Sequence, residues 1–207
     1  MSHRIRLHAL VHGSRANGPG LRSVVWVQGC SLRCQGCFNP ETHPFSGGTW
    51  RSVRRLAEEL ASASTNGLTL SGGEPTDQLA TATELLQLYH ELCGRTVVLY
   101  SGRDLDEIRM LDGGNRLLRA VDAAILGRYQ AMLPETGNPW GSSNQRLHLL
   151  TGRLSPQDFP GHVAEVLIRA DGTCALTGYP DRQLISSLKH ECQPQVSNGA
   201  ACPETRG

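Results

Sequence analysis

The 207 residues, 39% of them hydrophobic, suffice for one sizeable core and fall short of two. With 20 Lys and Arg against 19 Asp and Glu, the net charge of +1 sets up no broad field to draw the chain to nucleic acid or an anionic membrane. No apolar run approaches the roughly 20 residues of a membrane span and no secretory leader opens the chain, so a soluble, cytoplasmic protein is expected.

Residues 1 to 11 alternate loosely through Ile5, Leu7, Leu10 and Val11 and are expected to form an edge strand; His3, His8 and His12 lie in or beside it, and a strand gives them no helical face on which to pair for a metal. Asn17-Gly18-Pro19-Gly20 is a turn by composition and aims a first strand over Arg22 to Gln28. An irregular loop from Val27 to Asn39 follows. Trp50 to Ala63 repeats apolar residues at 50, 53, 56, 57 and 60, the period of a surface helix. Gly67 to Ser71 is a short apolar strand running into Gly72-Gly73, and Thr76 or Asp77 is expected to cap a helix lasting to about Cys93. Thr96 to Tyr100 is the next strand. Asp104 opens an acidic first turn, and the helical pattern of Leu105 to Arg119 is broken at Asp112-Gly113-Gly114 into two short helices. Val121 to Leu126, Arg146 to Leu150 and Val163 to Ala170 read as further strands. Beyond Pro180 only Leu184 to Leu188 is apolar, which predicts one domain over residues 1–180 and a flexible extension over 181–207. Strands alternating with helices imply an α/β fold with βαβ crossovers and a mainly parallel sheet.

The chemistry concentrates in the loop VQGCSLRCQGCFN, where Cys30, Cys34 and Cys37 place three thiols within eight residues. Seven cysteines in total is an odd number, which disfavours a disulfide framework and favours metal ligation in a reducing compartment. A structural zinc site would need a fourth ligand, with His43 or a distant cysteine as candidates. A [4Fe–4S] cluster on three cysteines instead leaves one iron open to a small molecule. Gly72 and Gly73 after a strand form either a plain turn or a nest of amides that a ligand can approach. Cys93 reads as a small hydrophobe in a helix, and Cys174, Cys192 and Cys202 lie too far apart for a second cluster motif.

The spacing of three residues and then two between the cysteines is similar to that of the radical S-adenosylmethionine (SAM) enzymes. Asn17-Gly18-Pro19-Gly20-Leu21-Arg22 upstream and Phe38-Asn39 downstream resemble the opening of the glycyl-radical-enzyme activases. Ser71-Gly72-Gly73-Glu74-Pro75 resembles their SAM-binding segment and Tyr100-Ser101-Gly102 their third-strand motif. Gly36, and Gly141-Ser142-Ser143-Asn144-Gln145-Arg146, resemble the activating component of anaerobic (class III) ribonucleotide reductase.

The resemblance implies a partial open (β/α)6 barrel of the radical SAM type, with its site at the carboxyl ends of the strands. It implies Cys30, Cys34 and Cys37 as cluster ligands, and Asn39, Gly72, Gly73, Glu74, Ser101 and Asn144 as SAM contacts, with no catalytic side chain beyond the cluster and SAM. The implied activity is reductive cleavage of SAM to a 5′-deoxyadenosyl radical that installs a glycyl radical on a partner such as anaerobic ribonucleotide reductase. A flavodoxin- or ferredoxin-type donor would supply the electron. A stand-alone radical SAM enzyme acting on a peptide or metabolite, and a non-catalytic iron–sulfur or zinc protein, are the alternatives. One departure is Leu126-Gly127, where members of the family carry Asp-Gly; Asp122 on the same strand is the nearest substitute carboxylate in sequence.

Overall fold

The computed structural model describes residues 3–135, 137–161, 163–168 and 174–179. Among these residues nine strands form in chain order: β1 (Arg4–Ser14), β2 (Arg22–Val27), β3 (Thr49–Ser52), β4 (Gly67–Gly72), β5 (Thr96–Ser101), β6 (Ala123–Leu126), β7 (Arg146–Leu149), β8 (Ala164–Ile168) and β9 (Cys174–Gly178). Four helices join them: α1 (Val53–Ser62), α2 (Leu79–Cys93), α3 (Leu105–Met110) and α4 (Gly114–Leu118). The main sheet runs β3-β1-β2-β4-β5-β6-β7, and β8 and β9 form a separate hairpin. Its centre, β2-β4-β5-β6, is parallel, while β1, β3 and β7 are antiparallel to their neighbours. The fold is therefore α/β with a mixed sheet built around a parallel block of four strands.

Alternation along the buried strands sorts the side chains between two layers. Val25, Val27, Leu68, Leu70, Val97, Leu99, Ala124 and Leu126 face the helices, packing with Leu56, Leu60, Leu85, Leu86 and Tyr89. Each such leucine, fully removed from water, contributes about 1.5–3 kcal/mol. The other face carries Val24 and Trp26 in one cluster and Val98, Tyr100, Ala123 and Ile125 in another. Leu126 points to the helix side and is 2% exposed. A carboxylate there would meet the core, so the missing aspartate leaves no gap at the cavity described below. Asp122 is no substitute: it lies at the opposite end of β6, accepting from the Val97 amide (2.8 Å) and the Thr151 hydroxyl (2.8 Å).

Several sequence expectations are corrected. β1 is not an edge strand, because β3 pairs outside it through Arg4↔Ser52 to Leu7↔Thr49. Trp50 belongs to that strand, with the Arg6 guanidinium over its ring at 4.5 Å, and the helix begins only at Val53. Thr76 and Asp77 do not cap α2; they lie in a 3-10 turn (Pro75–Gln78) capped by the Glu74 carboxylate. β7 runs antiparallel, and Ala164–Ile168 joins the hairpin. The Asp112-Gly113-Gly114 break and the acidic first turn at Asp104 are as expected; Asp104 is also the N-cap of α3, in a capping box with Glu107. His3, His8 and His12 go to separate partners, Glu84, Gln28 and Ser23. Leu184 to Leu188, Cys192, Cys202 and the 181–207 extension lie outside the described residues. Among the described residues no helix is long and apolar enough to cross a membrane.

The Asn17-to-Arg22 motif closes the amino-terminal end of the parallel block. Arg22 is fully buried and donates to Thr69 Oγ1, Thr96 Oγ1 and the carbonyls of Pro19, Leu68 and Thr96. Burial pulls its pKa down to about 10. Gly67 makes room for it, since a Cβ there would lie 2.5 Å from Arg22 Nη1. Arg22→Met would strand several buried acceptors at about 1–3 kcal/mol each, so we expect a loss of about 3 kcal/mol or more, read from thermal or urea unfolding. A loss under about 1 kcal/mol would show that water satisfies those carbonyls instead.

Candidate cofactor site

The cysteine loop starts where β2 ends. Gly29, at φ 101°, turns the chain as few other residues can, and Cys30 follows at the carboxyl end of the parallel strands. Within the loop, the Cys37 amide donates to the Cys34 carbonyl (3.2 Å), and the Asn39 amide points at Cys37 Sγ (3.4 Å). Arg33 (φ 46°) and Gly36 (φ 72°) take left-handed conformations, so the path between the cysteines is tightly coiled.

Three straps hold the loop. A 3-10 turn (Pro40–Thr42) accepts the Gly29 amide at Thr42 O (2.7 Å), and the Cys30 amide reaches His43 O (3.1 Å). Asp77 takes both the amide (2.6 Å) and the hydroxyl (2.9 Å) of Ser31, and Arg103 bridges Asp77 (3.3 Å) to Thr76 Oγ1 (2.8 Å). The double glycine supplies the third strap: the Gly73 amide donates to Val27 O (2.8 Å) and the Glu74 amide to Gly29 O (2.9 Å).

Glu74 ties the ends of β4 and β5 together. Its Oε1 accepts from the Thr76 amide (2.9 Å), Thr76 Oγ1 (2.7 Å) and Ser101 Oγ (2.8 Å), and its Oε2 from the Gly102 amide (2.9 Å). Burial pushes its pKa up even against those four donors. Burial likewise raises the Cys30 thiol, and takes Cys37 to about 11, with the neighbouring sulfurs of Cys34 and Cys30 adding to the rise.

Cys30, Cys34, Cys37, Asn39, Gly72, Gly73, Glu74 and Ser101 all line one cavity. Asn144 does not line it; its Nδ2 donates to Arg128 O (2.8 Å), and its neighbour Gln145 reaches the cavity instead. Sequence reasoning missed the aromatic wall of Trp26, Tyr100, Tyr129 and Tyr179, and the contribution of β9. Trp26 and Tyr100 were within reach, since both occupy alternate positions opposite the helix-facing residues. Tyr179 was not, because its packing on Phe38 (5.8 Å between ring centres) depends on a contact between distant parts of the chain. Cys93 stays apart, half-buried against the core with Sγ donating to Tyr89 O (3.2 Å).

The donor set suits an iron–sulfur cluster. Three soft thiols share the cavity, and each can take a different iron, so they need not meet at one point. Among the described residues no three His, Cys, Asp or Glu side chains are placed to hold a single ion.

Residues 16–148 match a family described as a 4Fe-4S single cluster domain. The anaerobic ribonucleoside-triphosphate reductase-activating protein of Enterobacteria phage T4 is 36% identical over 139 residues, 63% of this chain and 85% of that one. The protein of the same name from Vibrio cholerae is 31% identical over 144 residues, 65% of this chain and 92% of that one. A pyruvate formate-lyase-activating enzyme of Listeria monocytogenes is 35% identical over 131 residues, 58% of this chain, which spans about half (52%) of that enzyme. With its thiol loop, its double glycine and these relatives, the chain belongs to the glycyl-radical-enzyme activases, radical SAM enzymes that work with a [4Fe–4S] cluster and SAM.

Proposed function

We propose that Cys30, Cys34 and Cys37 ligate the cluster, and that the chain uses SAM bound beside it to install a glycyl radical on a separate enzyme of the anaerobic ribonucleotide reductase type. One observation carries the reading: the three thiols and the Gly72-Gly73 turn share one cavity at the carboxyl end of the parallel strands. When bound, the cluster supplies the electron that cleaves a carbon–sulfur bond of SAM. The chain's own residues position and shield that chemistry. Gly72 and Gly73 let the turn pack directly on the backbone of residues 26–29, which holds in place the segment that the methionyl group would meet. Glu74 is a buried carboxyl with no cation in bonding range among the described residues, so the SAM ammonium is the charge that would favour its ionised form. Ser101 and the Gly102 amide hold that carboxyl in place, Asn39 braces Cys37, and Asn144 acts through the Arg128 carbonyl and the adjacent Gln145. Trp26, Tyr100, Tyr129 and Tyr179 give the cavity an aromatic wall, which would limit how much water sits beside a radical formed there.

The choice of partner rests on coverage, because the chain spans most of the two reductase-activating relatives and about half of the formate-lyase one. A flavodoxin- or ferredoxin-type electron donor and a cytoplasmic location belong to the same proposal. So does the partial (β/α)6 barrel: the four parallel strands support it, with β7 in the fifth position running antiparallel.

Anaerobic incubation with SAM, a reductant and a cognate glycyl-radical protein deuterated at its glycine α-positions tests the function. We expect deuterium in the 5′-deoxyadenosine and an EPR signal on the partner, a doublet when its glycine carries ordinary hydrogen and collapsed when the remaining α-position is deuterium. SAM cleavage without deuterium transfer, the partner staying radical-free, would instead point to a stand-alone enzyme acting on a peptide or metabolite.

Cluster loading should also depend on pH. The Cys30 and Cys37 pKa values are raised, so near neutrality both thiols keep protons that iron must displace. Loading should improve as pH rises, with reconstitution at about pH 8.5 outpacing that at about pH 6.5 at equal iron and sulfide. Equal loading at both values would mean that the thiols are ionised before metal arrives.

A further inference from the structure

We infer that the loop between β6 and β7 is the surface on which the glycine-bearing partner docks, with Met132 and Leu133 as its apolar contacts, a step that rests on the reading above. The loop stands against the cysteine loop. Tyr129 and Gly141, near its two ends, line the cavity. Between them Ala131 packs on Gly36, which lies between Cys34 and Cys37; a Cβ added at Gly36 would come 2.9 Å from Ala131 Cβ. Cys34 and Cys37 are themselves partly exposed. Residues 131–133 therefore border the cavity on the side of its second and third cysteines.

The backbone holds this tip in place. The Leu133 amide donates to Gln130 O (3.0 Å), closing a turn with Ala131 and Met132 at its apex, and Leu133 O receives the Ser143 amide (2.7 Å). The Gln130 amide donates to Oγ of Ser142 (3.1 Å), a residue with no exposed surface. Turn tips are the places where Gly, Asn, Asp, Ser and Pro normally stand, yet this one reads Ala-Met-Leu. Met132 is 89% exposed, the most of any large apolar side chain among the described residues, and Leu133 is 42% exposed. Neighbouring apolar side chains presented to water on a tied backbone, at the edge of a site, have the arrangement of an interface contact.

The reaction names the occupant. The hydrogen comes from a backbone carbon, so a polypeptide segment has to enter the cavity, and the protein that carries it comes to rest on the residues around the entry. Ala131, Met132 and Leu133 bring no charge to that contact. The matching feature on the partner is an apolar depression beside its glycine loop, filled by Met132.

Met132→Asp, and the double variant Met132→Ser with Leu133→Ser, test this in the reconstituted protein, with dithionite as reductant and the glycyl-radical protein as substrate. Iron and sulfide content, SAM affinity from an EPR titration and SAM cleavage without the partner should stay within about twofold, because the altered side chains lie in water. The KM for the partner should rise about tenfold or more while kcat is retained. Met132→Leu, which keeps an apolar side chain, should stay within about threefold. Met110→Asp is the control, a side chain 86% exposed at the end of α3, and should change nothing. An unchanged partner KM in both altered tips overturns the proposal. So does loss of iron or SAM affinity in Met132→Asp, which would make the tip part of the cofactor site. A defect seen only when a protein electron donor replaces dithionite would give the surface to the donor, and a dimer of the unmutated chain that Met132→Asp dissociates would give it to a second copy; either overturns the assignment. Failure of the broader functional reading shows separately, as an unmutated protein that holds its cluster yet never transfers deuterium.

Discussion

Reconstituted anaerobically, Cys30→Ala, Cys34→Ala and Cys37→Ala proteins are each expected to hold iron and sulfide near background, while Cys93→Ala loads like the unmutated chain. The three loop cysteines share one cavity, and each thiolate is the only protein bond to its iron in a three-cysteine cluster. Deleting one exposes a second iron, and among the described residues the cavity's lining holds no further cysteine to replace it. Cys93 sits in α2, away from that cavity, and its replacement forfeits little beyond a weak bond to Tyr89 O and some packing, about 1 kcal/mol. Iron, sulfide and the EPR of the reduced protein decide the matter. Iron lost from Cys93→Ala but kept in Cys34→Ala would overturn the ligand assignment. The effect is expected to be all-or-none, which makes it the largest single-residue change available in this chain.

How much of this was legible in the sequence depends on the range of the interaction. Cys30, Cys34 and Cys37 were readable because their spacing alone confines the sulfurs to one loop. The capping box at Asp104 and Glu107 was readable for the same reason, as it spans three residues. The direction of β7 was not taken from the pattern, although the signal existed: a parallel neighbour of β6 needs a crossover helix, and Gly127 to Gln145 is punctuated by Gly and Pro with no helical period. Trp50 misled because a residue at the end of a strand can fall by chance on the apolar phase of the helix that follows. Leu126 misled differently. Its position matched the family's motif, but in this chain its side chain faces the helices, which only the pairing Ser101↔Leu126 and the packing around it reveal. The hairpin's place against the site could not be foreseen at all, since it depends on Asn17 Nδ2 meeting Thr177 Oγ1 (2.7 Å) across 160 residues.

Gly73→Ala is expected to lower cluster content and SAM affinity together, although alanine adds a single methyl group. A Cβ on Gly73 would drive into the Gly29 carbonyl, with the carbonyl carbon 2.8 Å away and Thr42 O at 3.1 Å. Both neighbours are backbone and cannot rotate out of the way. Gly29 precedes Cys30, and Thr42 O holds the Gly29 amide, so relief of the clash must move either the first cysteine or the strap that fixes it. The same displacement would weaken the bonds from Gly73 N to Val27 O and from Glu74 N to Gly29 O, releasing the turn that SAM is to meet. Overpacking of this kind costs about 1–3 kcal/mol, enough for a tenfold or greater loss of SAM affinity if it is concentrated at the site. Gly94→Ala is the control. Gly94 takes a left-handed conformation, at φ 62° at the end of α2, but nothing lies within 4 Å of its added Cβ. It should cost about 1 kcal/mol of stability and leave iron and SAM binding unchanged. A Gly73→Ala protein with full iron and an unshifted SAM titration would mean that the cysteine loop is not braced by the double glycine, and that Gly73 serves only to turn the chain.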